Sequence, residues 1–362
     1  MRGPSGGSAL KYRQLADVLR RDIVASVWPP GSKLPTDEEL RAETGLALST
    51  IRRAYDLLVR EGFVVRQQGA GTFVLDRGAG RGVRGLTIGA IVPVTQLYYG
   101  KIMHGIESEL NAAGVGIRFA AHDYDVATEG GRIADLLHAG IDGLILVPAG
   151  FSHEVGSDQL TMITELPVPT VLLERTPPSD DPGHAIEYVC SDHAGGAADG
   201  IKHLARLGHH KIALATRMDA PTRTGVERGY RHAVSALDID GVEISYPNAA
   251  WPSHAGDALA EIMRARCTAA LVFGDREATM LLDAARKLGI DVPHDLALVS
   301  YDDEFADIAP VPLTAVSPAK HRLGELAGRT MVQRLQEGNS GAIHQVKLRP
   351  RLVVRRSCGA DG

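Results

Sequence analysis

Leu34–Val74 reads LPTDEELRAETGLALSTIRRAYDLLVREGFVVRQQGAGTFV, and its punctuation marks out four short elements. Thr36 with Glu39 three residues on is a capping box, which opens a short helix carrying Leu40 on its buried face. Gly45 makes the turn. The next helix buries Ile51, Ala54, Tyr55 and Leu58 and ends before Gly62; Ser49, Arg52, Arg53, Asp56 and Arg60 share its other face. Phe63–Arg66 and Thr72–Leu75 are β-rich and flank Gln-Gln-Gly-Ala-Gly, a hairpin with glycine where φ is positive. Two helices about a glycine turn, followed by a hairpin, make a winged helix-turn-helix. Its second helix, with Arg52 and Arg53 outward, suits a major groove, where arginines pair with guanine edges or grip phosphates. A solvated face shared with Asp56 is the plainer account of the same arginines, and the hairpin weighs against it by completing a docking geometry.

Working outward, Leu15, Val18, Leu19, Ile23 and Val27 predict an amphipathic helix over 11–26, stopped by Trp28-Pro29-Pro30-Gly31. Met1–Ala9 reads as a loose tail with no apolar core for a secretory signal. Residues 77–85, rich in glycine and arginine, read as a flexible linker after a DNA-binding domain over 10–76. Residues 1–85 hold 14 Lys and Arg against 9 Asp and Glu, whereas residues 86–362 hold 25 against 35. A basic arm on an acidic body suits a chain that meets a polyanion at one end. No apolar run is long enough to span a membrane, and Cys190, Cys267 and Cys358 form no paired or metal-binding spacing. A reducing cytoplasm is the expected compartment.

From Leu86 the pattern changes to strand–helix alternation, twice over. Ile88–Val92, Gly116–Ala121, Gly143–Val147 and Thr170–Leu173 are the strands of a first series. Tyr188-Val189, Ile212–Ala215, Ile244–Tyr246, Ala270–Phe273 and Leu296–Ser300 make a second, and Leu348–Arg355 is a late strand. The fold class is therefore α/β: a winged helix-turn-helix followed, over 86–357, by two lobes with doubly wound parallel sheets. Ligands of such lobes sit at the carboxyl ends of the strands.

Residues 10–75 resemble the N-terminal domain of GntR-type bacterial repressors, through Lys11-Tyr12, Pro30–Thr36, Thr50–Ala54 and Gly69–Val74. The body is similar to the LacI/periplasmic sugar-binding fold, through Ile88–Pro93 with Tyr98-Tyr99, Gly140–Pro148, Val171–Arg175, Asp192, His203–Ile212, Ser300–Asp303 and Pro312–Val316. The combination resembles the arabinose-responsive AraR repressors. The first resemblance implies DNA contacts by Lys11, Lys33, Ser49, Thr50, Arg52, Arg53, Gln68 and Gly69. Ala47-Leu48 and Glu38 depart from the family's basic and polar residues, which leaves Ser49 as the candidate helix cap.

The second resemblance implies effector contacts. Tyr98 and Tyr99 follow the first strand; Glu174-Arg175 and Asp302 end strands; His122 follows the second strand; Asp192 stands at a cleft edge. Asp275 follows Gly274 where relatives have an Asn-Asp pair. Val226 replaces an arginine that many relatives carry, and Arg223 is the candidate substitute. A sugar needs aromatic faces with charged, bidentate groups, and this set supplies both. No nucleophile elbow, phosphate loop, zinc motif or cofactor motif occurs, and His209-His210 belong to a helix-to-strand turn, so neither catalysis, metal nor cofactor is expected. The expected function is a ligand-responsive transcriptional repressor, a homodimer with double-stranded operator DNA and a sugar as partners. A small-molecule binding protein whose head mediates protein–protein contacts is the alternative.

Overall fold

A computed structural model describes all residues except 1–5, 25–26, 61, 68, 76–82, 95–96, 151–153, 178–184, 339–340 and 361–362. Gln68, residues 77–82 of the expected linker and the Arg60 side chain therefore lie outside the described residues. The chain divides into two units. One comprises Met1–Arg84 with Glu165–Pro169 and Val332–Ala342; the other comprises Gly85–Thr164, Thr170–Met331 and Ile343–Gly362.

In the first unit, α1 (Gly6–Val24), α2 (Asp37–Thr44) and α3 (Leu48–Arg60) precede the antiparallel strands β1 (Val64–Gln67) and β2 (Gly71–Val74). Helix α1 begins earlier than its apolar spacing indicates. The α2 capping box forms, with Thr36 N–H donating to Glu39 at 2.7 Å and Glu39 N–H to Thr36 Oγ1 at 3.3 Å. Gly45 closes α2 at φ 67°, the left-handed conformation that favours glycine. Leu15, Leu19, Ile23, Leu40, Ile51, Tyr55, Leu58 and Val74 share one core. Val18, 47% exposed, lies off the buried stripe of α1, and Val27, 63% exposed, falls beyond the end of the helix at Val24. Ser49 sits inside the first turn of α3, so it is not its cap; Ala47 O instead accepts from Thr50 N–H and Ile51 N–H.

The second unit contains β3 (Thr87–Val92), α4 (Tyr98–Ala112), β4 (Gly116–Ala121), α5 (Val126–His138), β5 (Gly143–Leu146), α6 (Ser157–Thr164), β6 (Thr170–Leu173) and β7 (Glu187–Ser191). It continues through α7 (His193–Arg206), β8 (Lys211–Arg217), α8 (Arg223–Leu237), β9 (Asp240–Tyr246), α9 (Trp251–Arg264), β10 (Ala269–Val272), α10 (Asp275–Leu288) and β11 (Ala297–Tyr301). It closes with β12 (Thr314–Ser317), α11 (Lys320–Glu337, whose residues up to Met331 belong to this unit), β13 (Gln345–Leu348) and β14 (Arg351–Val353). Two six-stranded sheets result, ordered β13-β7-β6-β5-β3-β4 and β14-β12-β11-β10-β8-β9, parallel except for β14. Elements β12, α11 and β13 have no counterpart in the strand–helix reading of the sequence.

Alternation along each strand sends side chains to both faces of a sheet. In the second lobe Ala213, Ala215, Ala270, Val272 and Leu298 pack under α9 and α10. Their neighbours Ile212, Leu214, Leu271, Phe273 and Val299 pack under α7 and α8. The chain crosses between the lobes three times: from β7 into α7, from β12 into α11, and from β13 into β14. At the crossings Asp192 N–H donates to Leu348 O at 2.8 Å, and Arg349 holds Asp192 at 2.7 Å and Asp199 at 2.8 and 2.9 Å. Glycines let helices touch backbone to backbone: a Cβ on Gly105 of α4 would lie 2.1 Å from His321 O of α11, and one on Gly229 of α8 would lie 2.0 Å from Ala194 O of α7.

Candidate functional site

The first candidate surface lies on α3 and the hairpin. Ser49, Arg52 and Arg53 are exposed, whereas Thr50 is turned inward at 6% exposure and presents no side chain to a groove. Arg52 Nε lies 3.0 Å from Asp37 Oδ2, and Arg66 of β1 reaches the other oxygen of Asp37 at 3.4 Å and Asp56 at 3.5 Å. Arg66 also stacks 5.5 Å from the Tyr55 ring. Asp37 thereby ties the recognition helix to the hairpin, and neither Asp37 nor Arg66 is singled out by the sequence pattern. Lys33 is exposed and bridges to Phe73. Its aliphatic stem passes where a Cβ on Gly71 would stand, 2.6 Å from Lys33 Cε, so the glycine admits the lysine alongside the hairpin. Gly69 is exposed at φ 80° in the turn, and Lys11 is exposed on α1.

The second candidate site is where the carboxyl ends of both sheets meet. Glu174 follows β6 at φ 54° and is a hub. Its carboxylate accepts from Tyr98 Oη at 2.6 Å, Ser191 Oγ at 2.8 Å and Ser191 N–H at 3.0 Å. His193 Nε2 lies 3.4 Å away, and His193 Nδ1 lies 3.1 Å from Tyr301 Oη of the second lobe. Burial alone would raise Glu174, but His193, Ser191 and Tyr98 outweigh it and bring its pKa down to about 2. A carboxylate with so many donors has little capacity left for a ligand, so Glu174 organises its neighbours.

Arg175 is the opposite case. It is 1% exposed; Nη1 donates to Glu174 O at 2.8 Å, while Nε and Nη2 have no hydrogen-bond acceptor among the described residues. Burying a guanidinium without a carboxylate costs several kcal/mol, which a ligand with paired acceptors would offset. Tyr99 lies beside it, its hydroxyl pushed up by burial and drawn back by Arg175. Tyr124 shares that environment: burial raises it, and Arg175 and Arg217 oppose the rise.

Asp302 ends β11 at φ 89°. Its main chain is held by Val316 and by Lys320, which also lies 2.6 Å from Glu304. Its carboxylate forms no hydrogen bond or ion pair among the described residues. Burial pushes its pKa up to about 6 against the pull of Arg217 and Lys320, with Asp275 adding to the rise. Lys101 of α4 reaches Glu304 at 3.5 Å, so an ion pair also spans the two lobes.

Four other expected ligand residues are engaged elsewhere. His122 is fully buried, with Nε2 2.8 Å from Val147 O and Nδ1 accepting from Tyr124 N–H at 3.1 Å; it positions Tyr124. Asp192 caps α7 through Gly195 N–H at 2.9 Å and pairs with Arg349. Asp275 accepts from Ser300 Oγ and Glu304 N–H, both at 2.6 Å, and from Phe305 N–H at 3.2 Å, which fixes the loop after Asp302. Arg223 donates to Glu227 at 2.6 Å and Met218 O at 3.2 Å. Tyr124, Arg217 and Lys320 enter the cleft without having been expected there. Arg217 was hidden because β8 runs two residues beyond its apolar core, and Lys320 because it opens a helix the sequence pattern does not mark.

Residues 11–74 match the gntR family of bacterial regulatory proteins. Residues 85–245 match the periplasmic binding proteins and sugar-binding domain of the LacI family, and residues 201–358 match the periplasmic binding protein-like domain. An arabinose metabolism transcriptional repressor of Geobacillus stearothermophilus is 26% identical, over 96% of this chain and 97% of its own length. A repressor of the same description from Halalkalibacterium halodurans is also 26% identical, over 96% of each chain. Among solved structures, a LacI family regulator from Enterococcus faecium with bound ribose aligns with TM-score 0.61 at 22% identity, covering 75% of this chain and 98% of that one. A CelR–cellobiose complex aligns with TM-score 0.65 at 21% identity, covering 90% and 100%. The chain joins a GntR-type helix-turn-helix domain to a LacI-type periplasmic-binding-like domain, and the relatives that match it along its whole length are transcriptional repressors of sugar metabolism.

Proposed function

We propose that the protein is a ligand-responsive transcriptional repressor that acts in the cytoplasm as a homodimer and leaves its operator when a sugar enters the cleft. The observation that carries this reading is that, among the described residues, Arg175 of one lobe is buried with unused donors and Asp302 of the other is a carboxylate without a partner. Together they offer donors and an acceptor to a polyhydroxylated ring, with Tyr98 and Tyr99 as apolar walls. Lys11, Lys33, Ser49, Arg52, Arg53 and the hairpin near Gly69 face the operator, Arg52 and Arg53 from the groove-facing side of α3. Release requires the sugar to favour the conformation that binds DNA poorly, a coupling of ~1–3 kcal/mol.

The test is a gel shift of the protein on the DNA upstream of its own gene, with and without added sugars. A salt-sensitive complex that dissociates with one of them is the expected result. Absence of any complex at low salt would remove the DNA-binding reading and favour a head that contacts protein.

A further inference from the structure

In the second lobe, Arg217 stands out among the described arginines as one with a buried donor that no acceptor uses. Arg223 is closed by Glu227 and Met218, and Arg276 donates to Asn248 at 2.9 Å. Arg217, the last residue of β8, lies with Cζ 5.2 Å from the Phe273 ring, and its buried Nε has no acceptor among the described residues. It makes no ion pair within 4.0 Å among the described residues. Glu277, in the first turn of α10, shares its surroundings; it is 1% exposed, lies 3.7 Å from Arg276 Nη1, and has no hydrogen-bond donor on either oxygen among the described residues.

Gly274 explains why both fit. At φ 113° it has no side chain, and a Cβ there would stand 2.1 Å from Glu277 Oε2 and 4.0 Å from Arg217 Cζ. The carboxylate therefore occupies the space that a side chain at 274 would need, and the guanidinium borders it. Glu277 can offset the charge of Arg217 from beyond ion-pair distance without using up its N–H donors, while Phe273 supports one face of the fork.

Resting on the sugar-responsive reading above, we infer that Arg217 is the second lobe's hydrogen-bonding group for the effector, positioned by Glu277 in the space Gly274 leaves open. With Arg175 it grips hydroxyls of one sugar ring from opposite lobes, so binding requires the lobes to be together. The electrostatics agree: burial raises Tyr124 of the first lobe, and Arg175 and Arg217 are the two charges that oppose the rise. Among the charges acting on Asp302, Arg217 pulls most strongly.

The experiment measures thermal shift and titration calorimetry on the full chain with arabinose, ribose, xylose, glucose and cellobiose. Arg217→Ala is expected to weaken the responding sugar by a factor of about 10 to 100, the loss of a charge-assisted hydrogen bond. Operator affinity without sugar stays unchanged. Arg217→Lys restores part of the affinity, and Glu277→Gln weakens it without altering the melting temperature of the sugar-free protein by more than a degree or so. If Arg217→Ala does not fold, the double change Arg217→Met with Glu277→Gln removes both charges and carries the same expectation. A wild-type response that survives either Arg217 variant within twofold overturns the inference while leaving the repressor reading intact. Wild-type affinity in Glu277→Gln overturns the positioning role of Glu277. No wild-type response to any of these sugars counts against the sugar-responsive reading, and the inference falls with it.

Discussion

Arg52 and Asp37 form an ion pair, Nε to Oδ2 at 3.0 Å, between the recognition helix and the helix before it. The side chains are 61% and 26% exposed, so the pair adds only ~0–1 kcal/mol to stability. Its effect is directional: the guanidinium is held at one end of α3 rather than sweeping the solvent. Arg52→Ala is expected to weaken operator binding by about 1–3 kcal/mol if it meets a base edge, and to leave sugar-induced thermal shifts as in the wild type. Unchanged operator affinity in a filter-binding assay would remove Arg52 from the interface. Asp37→Asn removes the charge partner of Arg52 and leaves Arg66 with Asp56 alone, and is expected to strengthen binding to random DNA more than to operator.

Glu174 sets an acid limit. Its folded pKa is lowered to about 2, so the stability it contributes is present above the ordinary carboxylate range and is lost as pH falls through that value. Glu174→Gln keeps the shape but weakens the hydrogen bonds from Tyr98 and Ser191, a cost of about 1.5–3 kcal/mol. Chemical denaturation at neutral pH should show that loss, and the gap between variant and wild type should narrow below pH 4.

Asp302 has the opposite sign. Its pKa is raised to about 6, so its contribution to stability is full below the usual aspartate range and declines as pH rises through about 6. The charged form that destabilises the empty cleft is the form that accepts sugar hydroxyls. Sugar affinity is therefore expected to increase between pH 5 and 7, and Asp302→Asn to flatten that profile. A wild-type affinity independent of pH across this window would show that the carboxylate is not an acceptor for the ligand.

Glycines at helix contacts allow a graded stability test. Gly105→Ala sets a methyl against His321 O of the partner helix, where only backbone movement relieves it, and is expected to cost about 1–3 kcal/mol or more. Gly143→Ala meets the Met331 sulfur at 2.6 Å, and a flexible thioether can turn aside. Urea midpoints should rank Gly105→Ala well below Gly143→Ala. The reverse order would mean that α4 and α11 are less closely apposed than their backbones indicate.

The head was legible because its signals are local. The capping box at Thr36, the left-handed Gly45 and the hairpin glycines each depend on neighbours within a few residues. The alternation of strands and helices was equally plain, since apolar runs such as Leu144–Val147 announce buried strands. Elements β12, α11 and β13 were not, because their burial is decided by partners far along the chain; α11 is recognisable only once Gly324 meets Ile102. The cleft was half legible. Glu174, Arg175 and Asp302 follow strand ends, and Tyr98 and Tyr99 open the helix after β3. A letter such as Asp192 or Asp275 does not reveal that a backbone N–H three or thirty residues away already holds its carboxylate. The unused donor of Arg217 was invisible for the same reason, because whether a donor finds an acceptor is a property of three dimensions.

The three crossings also bear on how the molecule is made. Strand β7 ends at Ser191, yet β13, its neighbour on the sheet's outer side, begins only at Gln345. At ~5–20 residues per second the ribosome leaves that edge of β7 open for on the order of ten seconds or longer. During that time almost all of the second lobe emerges and can fold, while the first waits with an unpaired strand of the kind that recruits other chains. Chains that stall before Gln345 should accordingly be the species that nascent-chain aggregation and chaperone capture select.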